Sequence, residues 1–413
     1  MKELVRMPAP RDTASLSTMD LHVGFVAAGM ATTLLGPVLP ALSQRWGVSD
    51  ALIGLAFTVQ FLGTVTMSAL SSALVIRLGG GRVMVAGFVL LAVGIGGLTV
   101  APWEAGLAAI LCYGLGLGLV LPTTNVLIAA ASPGREASAV SLVNVSWSGG
   151  AVAWPVLVAY AGGGQRFGLP LAVLALVMAM MASRLVLTVR HGAADVYTPV
   201  SSALASRAFG RGGEPPALPP DRSHEMAILV ATFSAMLFFY AGVESAIGGW
   251  VAEHVRRIEG NGPGRLWTIA PMVFWAALAL GRLLTPLVLR GLAEPRVLVV
   301  ALVVVLAASA GLTLAASVPD ALVAAAVAGL ALGPVFPITF VDLSQTLGPT
   351  RPGVVGPVYA MATIGSAVLP WLVGFCSTRF GTLRAGFMVS VVSAIAMIAL
   401  TGIRLMRHPH DRD

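Results

Sequence analysis

The chain has 413 residues, of which 57% are hydrophobic and only 10% charged, against about 25% charged in soluble domains. With a mean hydropathy of +0.89, its surface has to face lipid, which excludes a soluble enzyme. The excess of 25 Lys and Arg over 18 Asp and Glu does not point to nucleic acid, because the arginines lie in short segments between apolar runs and form no basic face.

A membrane span needs roughly 20 mostly apolar residues. After a polar opening stretch with Lys2, Arg6 and Arg11, the first apolar run begins at Leu21 and continues past signal-peptide length, so it reads as an uncleaved span. Spans are predicted at 20–42, 51–76, 83–101, 105–131, 138–161 and 168–189. A second set is predicted at 225–252, 266–289, 296–316, 320–345, 353–376 and 383–406. Between the sets, 190–223 is polar and rich in Pro and Gly (Gly210, Gly212, Gly213, Pro215, Pro216, Pro219, Pro220), the composition of a linker. The chain therefore divides into a six-helix half at 1–189, a linker at 190–223 and a second six-helix half at 224–413. Arginines concentrate in the segments that share a side with the termini, which places both termini and the linker in the cytoplasm of a bacterial inner membrane.

The halves read as repeats of each other. Residues 82–101 and 296–315 agree at eight of twenty positions at an offset of 214. Gly114, Gly118 and Pro122 match Gly329, Gly333 and Pro337 at an offset of 215, as do Gly150 and Pro155 with Gly365 and Pro370. Gly29 and Gly36 match Gly242 and Gly249 at 213. Two six-span halves in parallel repetition, joined by a long linker, resemble the major facilitator superfamily. That resemblance implies an all-α membrane protein of twelve transmembrane helices with a central cavity. The loop Leu74 to Arg82 resembles that family's loop between its second and third spans, with Ile76 where the family has Asp. Within the superfamily, Tyr240 to Trp250, Gly281-Arg282 and the run Ser141 to Pro155 are similar to the fucose-permease-like sugar symporters.

Chemistry-bearing residues inside spans are few. Glu244 is the sharpest, because an acid at the centre of a span costs about 2.5–3.5 kcal/mol on insertion scales and is tolerated where it faces a water-filled cavity. Burial disfavours its charged form, which suits a proton carrier; the alternative is a structural carboxyl bonded to neighbouring helices. Tyr240 lies one turn earlier on the same face and is a substrate-contact candidate. Arg282 and Asp342 both sit toward the terminus side and are expected to pair as a gate when the cavity is closed to the cytoplasm, or to snorkel separately to the interface. Gln60, Asn125 and Asn144 are substrate-contact candidates, and Trp147 and Trp275 are stacking surfaces for a sugar ring; helix–helix adhesion and core packing are the competing readings. Gly79-Gly80-Gly81 lacks the Lys-Ser/Thr of a phosphate loop and reads as a tight turn between helices. Cys112 and Cys376 sit singly in apolar runs, and no Ser-His-Asp or metal-ligand spacing occurs, so neither an enzyme, a cofactor nor a metal is expected.

The expected function is alternating-access secondary transport of a small polar organic solute, sugar-like by the resemblance and coupled to protons, by a monomer in the bilayer. An efflux carrier of amphipathic compounds and a non-transporting receptor on the same fold remain as alternatives. The topology is checked by cysteines placed at Ser202 and Ala217, which should resist a membrane-impermeant thiol reagent in intact cells.

Overall fold

The computed structural model describes residues 17–161, 167–189, 220–260, 266–347 and 352–407; most of the expected linker, 190–219, lies outside them, as do both label sites. Among the described residues all regular structure is helical. The first half holds α1 (Thr18–Thr32), α2 (Leu35–Trp46), α3 (Asp50–Leu78), α4 (Gly80–Leu98), α5 (Trp103–Ala130), α6 (Glu136–Tyr160) and α7 (Gly168–Thr188). The second holds α8 (Pro220–Glu259), α9 (Leu266–Val288), α10 (Glu294–Leu314), α11 (Val318–Leu347), α12 (Pro352–Phe380) and α13 (Leu383–Arg407). Among the described residues eleven helices are long and apolar enough to cross a membrane, and α1 with α2, bent by 41°, make a twelfth if the pair is one span.

The bend has a local cause. Pro37 has no N–H to offer the Thr33 carbonyl one turn back, and its ring crowds that carbonyl, so the first span breaks at Thr33–Leu34. Freed carbonyls in a membrane must find donors within the protein. The Thr32 carbonyl accepts from Gln60 Nε2 at 3.0 Å and the Leu34 carbonyl from Trp154 Nε1 at 3.0 Å. Elsewhere the turns are short. Gly79, at φ 84°, is the single residue between α3 and α4, a conformation that favours glycine. The seventh span runs on to Glu259 instead of ending at 252, because Glu253 pairs with Arg256 and Arg257 one turn ahead and holds that turn helical.

Contacts inside the two halves mirror each other. Where α1 crosses α6, a side chain at Gly29 would run into the Trp147 carbonyl and one at Gly150 into the Val26 carbonyl. Where α8 crosses α12, Gly242 meets the Gly365 carbonyl and Gly365 the Phe238 carbonyl. These are the glycines matched by offset in the sequence. Likewise Gly114 and Gly118 of α5 lie against the backbone of α3, and Gly329 and Gly333 of α11 against the backbone of α9. Small residues let backbones approach where lipid offers no hydrophobic drive for association. Across the boundary between halves Gly36 packs against the Gly248 carbonyl, and its counterpart Gly249 against the Phe57 ring.

The crossing glycines give a direct test. Gly150→Leu and Gly365→Leu should each destabilise the purified protein by about 1–3 kcal/mol or more through overpacking, seen as a lower melting temperature in detergent. Gly149→Leu, whose side chain meets open space, should melt like the parent.

Candidate functional site

The halves touch along α3 with α12, α6 with α9, and α2 with α8. Hydrogen bonds joining them gather at the end away from the chain termini. Arg257 Nη2 donates to Asp50 Oδ1 at 2.6 Å, Ser377 Oγ to Asp50 Oδ2 at 2.5 Å, the Ala51 amide to Thr378 Oγ1 at 2.8 Å, and Thr58 Oγ1 to the Ala367 carbonyl at 2.8 Å. Below this closed end lies a cleft of about 100 Å³ bounded by the break in the first span (Thr32, Thr33, Leu35), by Phe57, Phe61 and Trp147 of the first half, and by Glu244, Ser245, Trp275 and Ser366 of the second.

Glu244 reaches this cleft from α8. Its Oε2 accepts from Arg282 Nη2 of α9 at 2.9 Å and from the Tyr240 hydroxyl, and Arg282 Nη2 also donates to the Tyr240 oxygen at 3.0 Å. Tyr240 is buried, its ring 5.7 Å from that of Phe336, so its hydroxyl is held in place between acid and base. The Glu244 side chain is 13% exposed and that of Arg282 29%. A charged pair embedded in a span is retained by its mutual attraction and the added tyrosine bond, since either charge alone is costly there.

Tyr240 shares the Glu244 face, as the four-residue spacing requires. Trp147 and Trp275 meet edge to face across the halves, with ring centroids 6.2 Å apart. Asn144 Nδ2 donates to Asn125 Oδ1 at 3.2 Å, which brings α5 and α6 together one turn nearer the termini than Trp147. In this state, closed at the end away from the termini, Arg282 and Asp342 have separate partners: Arg282 turns to Glu244, while Asp342 is held by Arg404 of α13. One expectation needs correction. Gln60 is 1% exposed, and both ends of its amide are engaged, by the Thr32 carbonyl and by the Tyr113 hydroxyl at 2.8 Å. It ties down the broken first span and does not meet the cleft.

The cross-half contact at the closed end was missed in the sequence. Asp50, one residue after the capping Ser49, reads locally as a helix-start acid, and Arg256 and Arg257 read as loop charges. The signal that was available is Glu253 with arginines three and four residues on, which marks a helical turn rather than a loop. Among the described residues no cluster of three or more His, Cys, Asp or Glu is placed to hold a metal.

The fold and this cleft define a multi-pass membrane protein of two six-helix halves meeting around a polar site, the architecture of a transporter. The family model for the Major Facilitator Superfamily matches residues 21–355, and the chain belongs to that superfamily. No curated relative matches the chain. Among solved structures it is similar to a bacterial homologue of the human lysosomal transporter Spinster in an inward-facing and occupied conformation, with 15% identity, 96% of this chain and 97% of that one covered, and a TM-score of 0.75. It is also similar to the nucleoside transporter NupG (15% identity, 93% and 99% covered, TM-score 0.72) and to a variant of the E. coli fucose:proton symporter FucP (15% identity, 95% and 99% covered, TM-score 0.56).

The closed end supplies the second structural test. Removing the guanidinium in Arg257→Ala leaves Asp50 with its serine bond and loosens the contact between halves. If that pair contributes on the order of 1 kcal/mol, the open population at this end rises about fivefold. In a background lacking Cys112 and Cys376, a cysteine at Ser245 should then react correspondingly faster with a membrane-impermeant maleimide supplied on the side opposite the termini.

Proposed function

We propose that this chain is a secondary active transporter of a small polar organic solute, driven by protons, with Glu244 as the proton-carrying group. The observation that carries the reading is the Glu244–Arg282–Tyr240 cluster inside the spans, at the cleft where the halves meet. The hydrogen bonds between halves lie on one side of this cleft, which is the arrangement of a carrier closed at one end. With the termini in the cytoplasm of a bacterial inner membrane, as the arginine distribution argues, this is an inward-facing state. Rocking of one half against the other would expose the same cleft to the far side.

The sequence resemblance supports a sugar-like solute, and the paired indoles Trp147 and Trp275 offer apolar faces suited to a ring while Thr32 and Ser245 offer hydroxyls. Asn125 and Asn144 are proposed contacts on the path between the terminus side and the cleft. Proton binding converts the Glu244 carboxylate to a neutral acid, so that reorientation need not carry a bare charge through low dielectric.

Glu244→Gln fixes the neutral form. In proteoliposomes it should abolish accumulation driven by a pH gradient while leaving counterflow exchange largely intact. Accumulation that persists in this variant would remove Glu244 from proton coupling.

A further inference from the structure

A second cavity, of about 450 Å³, lies within the second half at the end that carries the chain terminus. Its volume falls in the range of small-ligand sites. The early part of α8, the start of α10 and the last turns of α11 and α13 wall it, and it shares no wall residue with the cleft between the halves. Each of the four helices repeats one pattern at a four-residue spacing, which keeps both members on one face. Thr232 is followed inward by Met236, Glu294 by Leu298, Asp342 by Ile338 and Arg404 by Leu400. The cavity therefore has a polar mouth and an apolar floor one turn deeper.

Hydrogen-bond bookkeeping on these walls shows which ligand chemistry fits. A hydroxyl has one proton to give and two lone pairs to receive. Thr232 gives its proton to the Ile228 carbonyl at 2.8 Å, Thr401 to the Met397 carbonyl at 2.9 Å, and Thr346 to Asp342 at 3.3 Å. Arg404 donates to Asp342 and lies over the Phe233 ring, 5.1 Å from its centroid. Lone pairs of Thr232 and Thr401 remain on the walls with the carboxylates of Asp342 and of exposed Glu294. Against these acceptors stand the Thr339 hydroxyl and the exposed Gln345 amide. Thr339 is only 3% exposed, and its Oγ1 has no hydrogen-bond partner among the described residues. A buried hydroxyl without a partner is costly in a protein alone and is satisfied by a polar ligand. Two acids and one base among the described wall residues favour a cation that brings donors.

We propose that this cavity binds a primary alkylammonium group, whose N–H donors go to the carboxylates and threonine oxygens and whose carbons lie on the apolar floor. Charge-assisted bonds of this kind are stronger than neutral ones. A trimethylammonium carries the same charge but no N–H, so it leaves the acceptors unanswered. The same group heads an aminophospholipid of the adjoining leaflet and a free amphipathic amine, and the site reads the chemistry they share. The cavity touches α8 at Met236, about two turns nearer the termini than Glu244, so an occupant ties the helix that carries Glu244 to α10, α11 and α13.

The test follows the melting temperature of the purified full chain in detergent. Millimolar hexylammonium should raise it by about 2 °C or more, as ligand linkage requires, and hexyltrimethylammonium should not. Glu294→Gln and Thr339→Val should each cut the shift by half or more. Asp342→Asn should abolish it; because that change also releases Arg404, the other two variants keep the test open if it fails to fold. Phosphatidylethanolamine and phosphatidylcholine with identical acyl chains, added to the micelles, separate the sources. Greater stabilisation by the ethanolamine lipid, with no further response to hexylammonium, assigns the site to a lipid. Equal stabilisation by the two lipids, with the hexylammonium response intact, assigns it to a soluble amine. Equal shifts from hexylammonium and its trimethyl analogue would overturn the proposal, and so would no shift from either together with no difference between the lipids. A shift lost in Glu244→Gln but kept in Glu294→Gln would move the amine to the central cleft and overturn it as well.

Discussion

In hydrocarbon there is no water to satisfy a backbone carbonyl or a side-chain charge, and the architecture of this chain follows from that constraint. Backbone groups are paired within long helices, and the place where a helix breaks is roofed with donors. The Thr33–Leu34 break created by Pro37 survives because Gln60 and Trp154 reach its carbonyls from α3 and α6. Gln60 is in turn fixed by Tyr113. The bend that shapes one wall of the cleft is therefore held by three residues that do not line it.

Charges obey the same rule. Asp20 is paired with Arg184 across α1 and α7, Asp342 with Arg404 across α11 and α13, and Glu244 with Arg282 across α8 and α9. Each of these pairs lies inside one half. Glycine crossings such as Gly150 of α6 against α1 and Gly365 of α12 against α8 also join helices within a half. Each half is thus stitched internally by close backbone contact and ionic bonds. Among the described residues, the hydrogen bonds between halves gather around Asp50 at one end. Strong bonding within halves and sparse bonding between them is the mechanical condition for two bodies to rock without unfolding.

The Glu244–Arg282 pair is part of this stitching and part of the site at once. As a structural pair it neutralises two charges between α8 and α9. Through Glu244 it also lines the cleft where the halves meet. The tyrosine between them keeps the geometry while either partner changes its bonding, since a hydroxyl can donate to one and accept from the other.

Hydropathy and spacing alone determined the number of spans, the placement of most of their ends within a few residues, and the repeat of Gly114, Gly150 and Pro155 in Gly329, Gly365 and Pro370. These features are local or periodic, because each span must be apolar by itself and each repeat must pack by the same glycines. Glu244 and Tyr240 were legible for the same reason: an acid in an apolar run stands out, and four residues make one helical turn. Only tertiary structure decided that Arg282 turns to Glu244 while Asp342 turns to Arg404, that Gln60 braces a broken helix, and that Asp50 meets Arg257 across the halves. Asp50 and Arg257 are separated by most of the first half and the linker. Which charge faces which depends on helix rotation and crossing geometry, which hydropathy along the chain does not encode.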